Sequence, residues 1–285
     1  MTWIVGTPTM FGYGFGISDI RVTLGDGSEV DCLQKIYPVG RYIAAGFAGS
    51  VRIGFAMIDE LRKRANLADK RLSCDPNLVA RDWPQHARAI FDKFPPEEQA
   101  GQCHLMLISA HPQEHNGNPN WPRCYVHIFR SPTFEAEVVP VHTLGSIGCG
   151  SGYRPCQEVI ERFNSDNNRR MFYAQGGGTL GGMGTMIGIE LTNLLMRIQP
   201  GGISAHLHYC WVYRGKITIS TNEHVQKGRW SIIPLGSENA PTSQQEAKTL
   251  DDGSVVFAMP TIATTWEELE QLLYARGSSA RSCLA

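Results

Sequence analysis

The order in which hydrophobic periodicities succeed one another limits the architecture of this chain more than any other feature. Trp3 to Val5 and Ile17 to Thr23 read as two short strands around a Gly-rich turn, and Gly25-Asp26-Gly27-Ser28 as the turn of a hairpin. Leu33 to Tyr37 and Arg41 to Phe47 read as a second strand pair, turned by Pro38 and Gly40. The period then changes. Val51, Phe55, Ile58 and Leu61 recur at helical spacing. A second helix has Asp75 as N-cap and Pro76 at its first position, with Val79, Trp83, Ala87, Ile90 and Phe94 on one face and Pro95-Pro96 as its stop. Pro84 inside it predicts a kink or a later start. Three strands follow at His104–Ser109, Cys124–Phe129 and Glu135–Val141. Gly145 to Gly152 reads as a tight Gly-Ser loop opening a third helix, in which Cys156, Val159, Ile160 and Phe163 share a face. A fourth helix spans Thr185 to Ile198, apolar nearly all round. Strands at Ser204–Tyr213 and Lys216–Ser220, a hairpin-like stretch over 230–260 and a short helix from Thr265 to Tyr274 complete the chain. Thr265 and Glu268 have the spacing of a capping box. Runs of strands alternating with pairs of helices suit two packed sheets with helices outside.

Composition narrows the function. The 285 residues are 42% hydrophobic and 19% charged, an ordinary globular balance for one large domain or two small ones. A net charge of −1 gives no basic face, which argues against nucleic acid as a partner. No stretch of about 18 apolar residues is present to cross a membrane, and no targeting segment is visible. Eight cysteines are scattered without a Cys-x-x-Cys pair, as expected for reduced thiols in the cytoplasm.

The chemistry concentrates near the N-terminus. Residue 2 is threonine. Asp19-Ile20-Arg21-Val22-Thr23 comes after a short strand, then Lys35, then Ile43-Ala44-Ala45-Gly46-Phe47-Ala48-Gly49 before a long helix. In this order and spacing the motifs resemble the proteasome β-subunit family, which includes the bacterial HslV-type peptidases. The likeness is closest over residues 2–60. It continues more loosely through Ile147-Gly148-Cys149-Gly150-Ser151-Gly152, and the tail beyond about residue 222 has no counterpart. The resemblance implies a four-layer αββα sandwich, the α+β fold of N-terminal-nucleophile (Ntn) hydrolases, in a single domain over 1–285 with 223–285 as an extension on or beside it. It implies a threonine peptidase that needs no cofactor, assembled into rings around a polypeptide substrate and served by an ATP-dependent unfoldase.

Elementary chemistry gives the same residues their roles. A threonine hydroxyl is a weak nucleophile and needs an adjacent base. With Met1 removed, the α-amino group of Thr2 is that base, with an ordinary pKa of about 7.7–8.0. A Lys35 ammonium nearby disfavours protonation of the amine, and Asp19 pairs with Lys35 to keep it charged and placed. By resemblance, the Gly49 N–H faces the oxyanion, Thr23 contacts substrate, and Val22, Leu33, Phe47 and Val51 line the first side-chain pocket, implying apolar residues before the cut. Cys149 stands where the family has its loop serine, with Ser151 two residues on. Where many relatives place Asp and Ser ahead of a Gly-Gly pair, this chain has Arg197-Ile-Gln-Pro200 before Gly201-Gly202. Trp3 is bulky for its position.

Other readings stand beside these. Thr2 can be incidental in a chain that keeps Met1, and Asp19 with Lys35 a plain ion pair. The chain would then be an inactive, proteasome-like structural subunit. A small-molecule amidase on the Ntn scaffold is the other alternative. The Gly-rich run 176–184 suits a connector better than a phosphate loop, because no Gly-Lys-Ser/Thr ending follows. His206, His208 and Cys210 alternate on one strand face, which fits a buried sheet face better than a zinc site.

Overall fold

The computed structural model describes residues 2–8, 13–69, 76–115, 118–141, 143–149, 153–165, 201–204, 206–213, 216–221, 224–225, 230–234, 247–249, 255–259 and 261–275. Strands β1 (Thr2–Pro8) and β2 (Gly14–Asp19) are the first expected pair. β3 (Arg21–Thr23) and β4 (Glu29–Asp31) form a small hairpin closed by Gly27. β5 (Ile36–Pro38) and β6 (Ile43–Gly49) are the second pair. Helices α1 (Val51–Asp69) and α2 (Pro76–Phe91) follow, then a single turn, α3 (Pro96–Gln99). Helix α2 runs on through Pro84, which removes one ladder hydrogen bond without ending the helix.

β7 (Cys103–His115) and β8 (Asn118–Phe129) form a long hairpin that extends well beyond the strands expected at His104–Ser109 and Cys124–Phe129, and β9 (Ala136–Val138) pairs with β8. The Gly-Ser run read as a loop is instead strand β10 (Gly145–Cys149), and it pairs antiparallel with β1. Glycine is needed there because a Cβ at Gly145 would come within 2.4 Å of Val139. Helix α4 (Tyr153–Asn164) follows, and β11 (Leu207–Tyr213) and β12 (Lys216–Thr221) complete the first sheet.

Two five-stranded sheets result, ordered β10-β1-β2-β11-β12 and β5-β6-β7-β8-β9. They pack face to face. Ile4, Ile147 and Cys210 of the first meet Ala44, Met106, Ile108 and Val126 of the second in one buried cluster. On the far side of the second sheet, α1 and α2 cover Phe47, Leu105 and Leu107. On the far side of the first, α4 sets Cys156 and Ile160 against Trp3, Phe15 and Ile17.

This arrangement corrects the expected four-layer αββα sandwich. The chain is mostly antiparallel sheet, and its five described helices do not supply two matched helical layers. The second sheet carries a helix pair, but the first carries only α4, of 12 residues, among the described residues. Residues 185–198, read as a fourth long helix, lie outside the described residues. The tail differs as well. β13 (His224–Val225), β14 (Trp230–Pro234), β15 (Ala247–Thr249) and β16 (Val255–Met259) form a further four-stranded sheet in which β15 and β16 pair antiparallel but β14 and β16 run parallel, so only part of the stretch is hairpin-like. Periodicity reports which face of an element is apolar; it does not report how many elements share a layer.

The last described helix, α5 (Trp266–Ala275), is built into the core. Leu269 and Leu273 are fully buried with Phe47 and Leu61, and Ala263 bridges Leu33 in parallel. Thr265 caps the helix at the Glu268 N–H, while the Glu268 carboxylate reaches one residue further back, to Thr264. No described helix is long and apolar enough to cross a membrane.

The glycines of β1 and β2 set the sheet spacing. A Cβ at Gly14 would come 2.4 Å from Ile108 Cγ2 and 3.0 Å from Cys124 Sγ. Gly14→Ala is therefore expected to destabilise the protein by about 1–3 kcal/mol. Urea denaturation would check this, with the midpoint falling at unchanged slope.

Candidate active site

β1 begins at Thr2, which lies opposite Cys149 of β10, and β2 ends at Asp19. Register places Ile4 across from Ser18, so the end of β2 lies beside the start of β1. The Trp3 N–H donates to Asp19 Oδ1 over 3.1 Å, and Lys35 Nζ donates to the same oxygen over 2.8 Å. Asp19 and Lys35 are both fully buried. The carboxylate thus links Lys35 directly to the peptide that follows Thr2.

Its second oxygen is equally occupied. Oδ2 accepts the Arg21 N–H at 2.9 Å and the Ser204 N–H at 3.3 Å. Four donors from four chain segments converge on one side chain, which is how a buried charge is tolerated. Burial pushes Lys35 below the ordinary lysine value, and Asp19 opposes that push.

A second carboxylate supports the first. Asp31 Oδ1 accepts Arg21 Nε at 2.7 Å, and Asp31 Oδ2 accepts the Ser204 hydroxyl at 2.6 Å. Burial would raise Asp31, but Arg21 and Ser204 outweigh it and hold the carboxyl below its usual range. Arg21 also reaches Glu29 at 2.8 Å, and the other Glu29 oxygen accepts the Gly202 N–H at 2.5 Å. Residues 202–204 are thereby tied to β2, β3 and β4 just before β11 begins.

Gly49 ends β6 with φ +107, and a Cβ there would lie 2.5 Å from the Gln102 carbonyl oxygen. Both facts require glycine. The Ser50 N–H donates to Gln102 O, whereas the Cys103 N–H is taken by Ser131 Oγ, so Gly49 and Cys103 form a non-hydrogen-bonded pair. The Gly49 N–H therefore points to the opposite side of β6. On that side the Phe47 N–H donates to the Lys35 carbonyl at 3.2 Å. Ser50 caps α1 at the Ile53 N–H.

The structure pairs the backbone of Thr2 with Cys149, bonds the Asp19–Lys35 pair to the next amide along β1, and turns the Gly49 amide to the Lys35 side of its strand. Cys149 is half-buried, and Ser151 lies outside the described residues. Thr23 is half-buried on β3, opposite Glu29. Val22, Leu33, Phe47 and Val51 do share one cluster, but all are buried core, Leu33 and Phe47 completely. The Phe47 ring is stacked on Tyr37 and tilted against Phe55 of α1. Here these four residues hold sheet to helix and do not line an open pocket. Trp3, bulky for its position, is accommodated by burial against α4.

Ser204, Asp31 and Glu29 were not legible as site residues. Asp31 was findable only through hairpin register, which sets it opposite Arg21. Ser204 has no local signal, since its partners are far away in sequence.

Two histidines line the same region. His206 and His208 are both buried, with His208 opposite Ser18 in the sheet. Among the described residues no group of three His, Cys, Asp or Glu side chains is placed to hold a metal ion. Burial pushes the Cys156 and Cys210 thiols up to about 12, so neither is a nucleophile at neutral pH. No protein-family model and no curated protein matches this chain.

His208 gives the site a pH signature. Burial, then the Lys35 and His206 charges, push its imidazole down to about 4, from an ordinary 6.5. Between these values the unfolded chain binds more protons at this residue than the native one does, so stability falls as pH drops from 6.5 to 4. His104, also pushed down to about 4, adds to the same loss. His208→Gln should flatten the decline without removing it, as measured by urea midpoints across this pH range.

Proposed function

We propose that this chain is an N-terminal-nucleophile hydrolase of the proteasome β-subunit type, cleaving peptide bonds through Thr2 after Met1 is removed. The observation that carries the proposal is the buried Asp19–Lys35 pair, hydrogen-bonded through the Trp3 N–H to the residue that follows Thr2. A fully buried lysine is costly, and here its partner carboxylate is bonded to the amide that follows Thr2.

In the proposed reaction the Thr2 hydroxyl oxygen attacks the scissile carbonyl carbon while its proton passes to the Thr2 α-amine. The oxyanion that forms is stabilised by the Gly49 N–H. Collapse of the intermediate breaks the C–N bond, and the leaving amine takes the proton from the α-ammonium. An ester on Thr2 remains. Water, losing a proton to the same amine, attacks this ester and returns a carboxylic acid and free Thr2. The cation of Lys35 favours the unprotonated amine throughout. One oxyanion donor contributes on the order of 10² to 10³ in turnover. Assembly into rings, an unfoldase partner and a cytoplasmic location enter with the family resemblance and belong to the same proposal.

Thr2→Ala is expected to abolish hydrolysis of peptide substrates with the melting temperature unchanged; unchanged turnover would remove Thr2 from its role. Lys35→Ala is expected to lower kcat/KM by at least about 10²-fold in the folded fraction. It also leaves a buried carboxylate without its cation, at a stability cost of roughly 3–5 kcal/mol. Rates must therefore be normalised to folded protein, read by circular dichroism in the same samples.

A further inference from the structure

The family pattern of Asp and Ser ahead of a Gly-Gly pair is absent, since Pro200 directly precedes Gly201-Gly202. A serine nevertheless reaches the carboxylate from further along. Ser204, fully buried, touches both acids of the site. Its N–H donates to Asp19 Oδ2 at 3.3 Å and its hydroxyl to Asp31 Oδ2 at 2.6 Å. The same hydroxyl oxygen accepts the His206 N–H at 3.0 Å. Donor and acceptor capacities of the hydroxyl are thus both engaged, one on each side.

These bonds form a chain of dependence. Asp31 is fixed by Arg21 and by hairpin register. The Ser204 hydroxyl fixes residue 204 to Asp31, and only from that place does the Ser204 amide meet Asp19. Of the four donors to Asp19 the Ser204 amide is the longest, and it comes from the segment most remote in sequence. It is the donor most readily lost if that segment shifts.

We propose that Ser204 is a positioning residue for the Asp19–Lys35 pair, acting through its hydroxyl on Asp31 and its amide on Asp19. The proposal rests on the peptidase reading above. Ser204→Ala removes the partner that Asp31 Oδ2 and the His206 N–H share, and loosens residue 204 while Gly202 stays bonded to Glu29 and Arg21 to Asp31. Ser204→Thr keeps the hydroxyl.

The test is the rate at which a peptide epoxyketone labels Thr2, followed by intact mass on the full chain and on both variants. Ser204→Ala is expected to slow the maximal labelling rate roughly tenfold to a hundredfold, the loss typical of a charge-assisted hydrogen bond, with the half-saturating probe concentration unchanged. Ser204→Thr is expected to recover most of that rate. Should Ser204→Ala fail to fold, Ser204→Cys, whose thiol is a weak hydrogen-bond partner in the same space, is expected to show the same slowing. Labelling of the alanine or cysteine variant at the wild-type rate overturns the role of Ser204 and leaves the peptidase reading intact. A wild-type chain that takes no label overturns both.

Discussion

A lysine and an aspartate with no exposure to solvent, 2.8 Å apart, are the constraint around which this molecule is arranged. Neither charge is stable in an apolar interior alone. Each must be met by donors or by the opposite charge, and the chain brings those groups from four separate places. β1 supplies the Trp3 amide, the start of β3 the Arg21 amide, the segment before β5 the Lys35 ammonium, and the segment before β11 the Ser204 amide. Losing any one segment leaves a buried polar group unsatisfied, so the pair ties local strand geometry to the global fold. It also fixes a cation within one peptide of Thr2.

The two packed sheets make this convergence possible. Register between β1, β2 and β11 sets Ile4, Ser18 and His208 in one row across the first sheet, and Leu207 beside Asp19. Lys35 and Gly49 come from the open end of the β5–β6 hairpin, one just before β5 and the other at the end of β6. Gly14 and Gly16, whose missing side chains would collide with Ile108, let the sheets come close enough for their side chains to meet. The core and the site are therefore set by the same spacing.

Sequence reasoning recovered the parts of this that are local. The strands read at residues 3–5 and 17–23, the helical spacing from Val51, and the pairing of Asp19 with Lys35 all correspond to elements or contacts in the fold. It failed where glycine was read as a loop signal. Gly145 and Gly148 belong to a strand, and at Gly145 glycine answers a crowded sheet face and not a turn. It failed again with Val22, Leu33, Phe47 and Val51, whose apolar character suits a pocket and a core equally. Only packing against α1 and α5 decides between those two uses. The four-layer sandwich came from resemblance, and the described helices do not complete it. Ser204 is illegible because its meaning lies in a contact with a residue 173 positions away, whereas Asp31 is reachable through the register of the β3–β4 hairpin.

In the proposed peptidase the buried cation acts on the amine of residue 2. The direct measurement is the pKa of the N-terminal α-amine in the native protein, from the pH dependence of its acylation followed by mass spectrometry. The account predicts a chain that begins at Thr2, with an amine titrating below the ordinary range of about 7.7–8.0. A native chain that keeps Met1, or a Thr2 amine that titrates within or above that range, would contradict it.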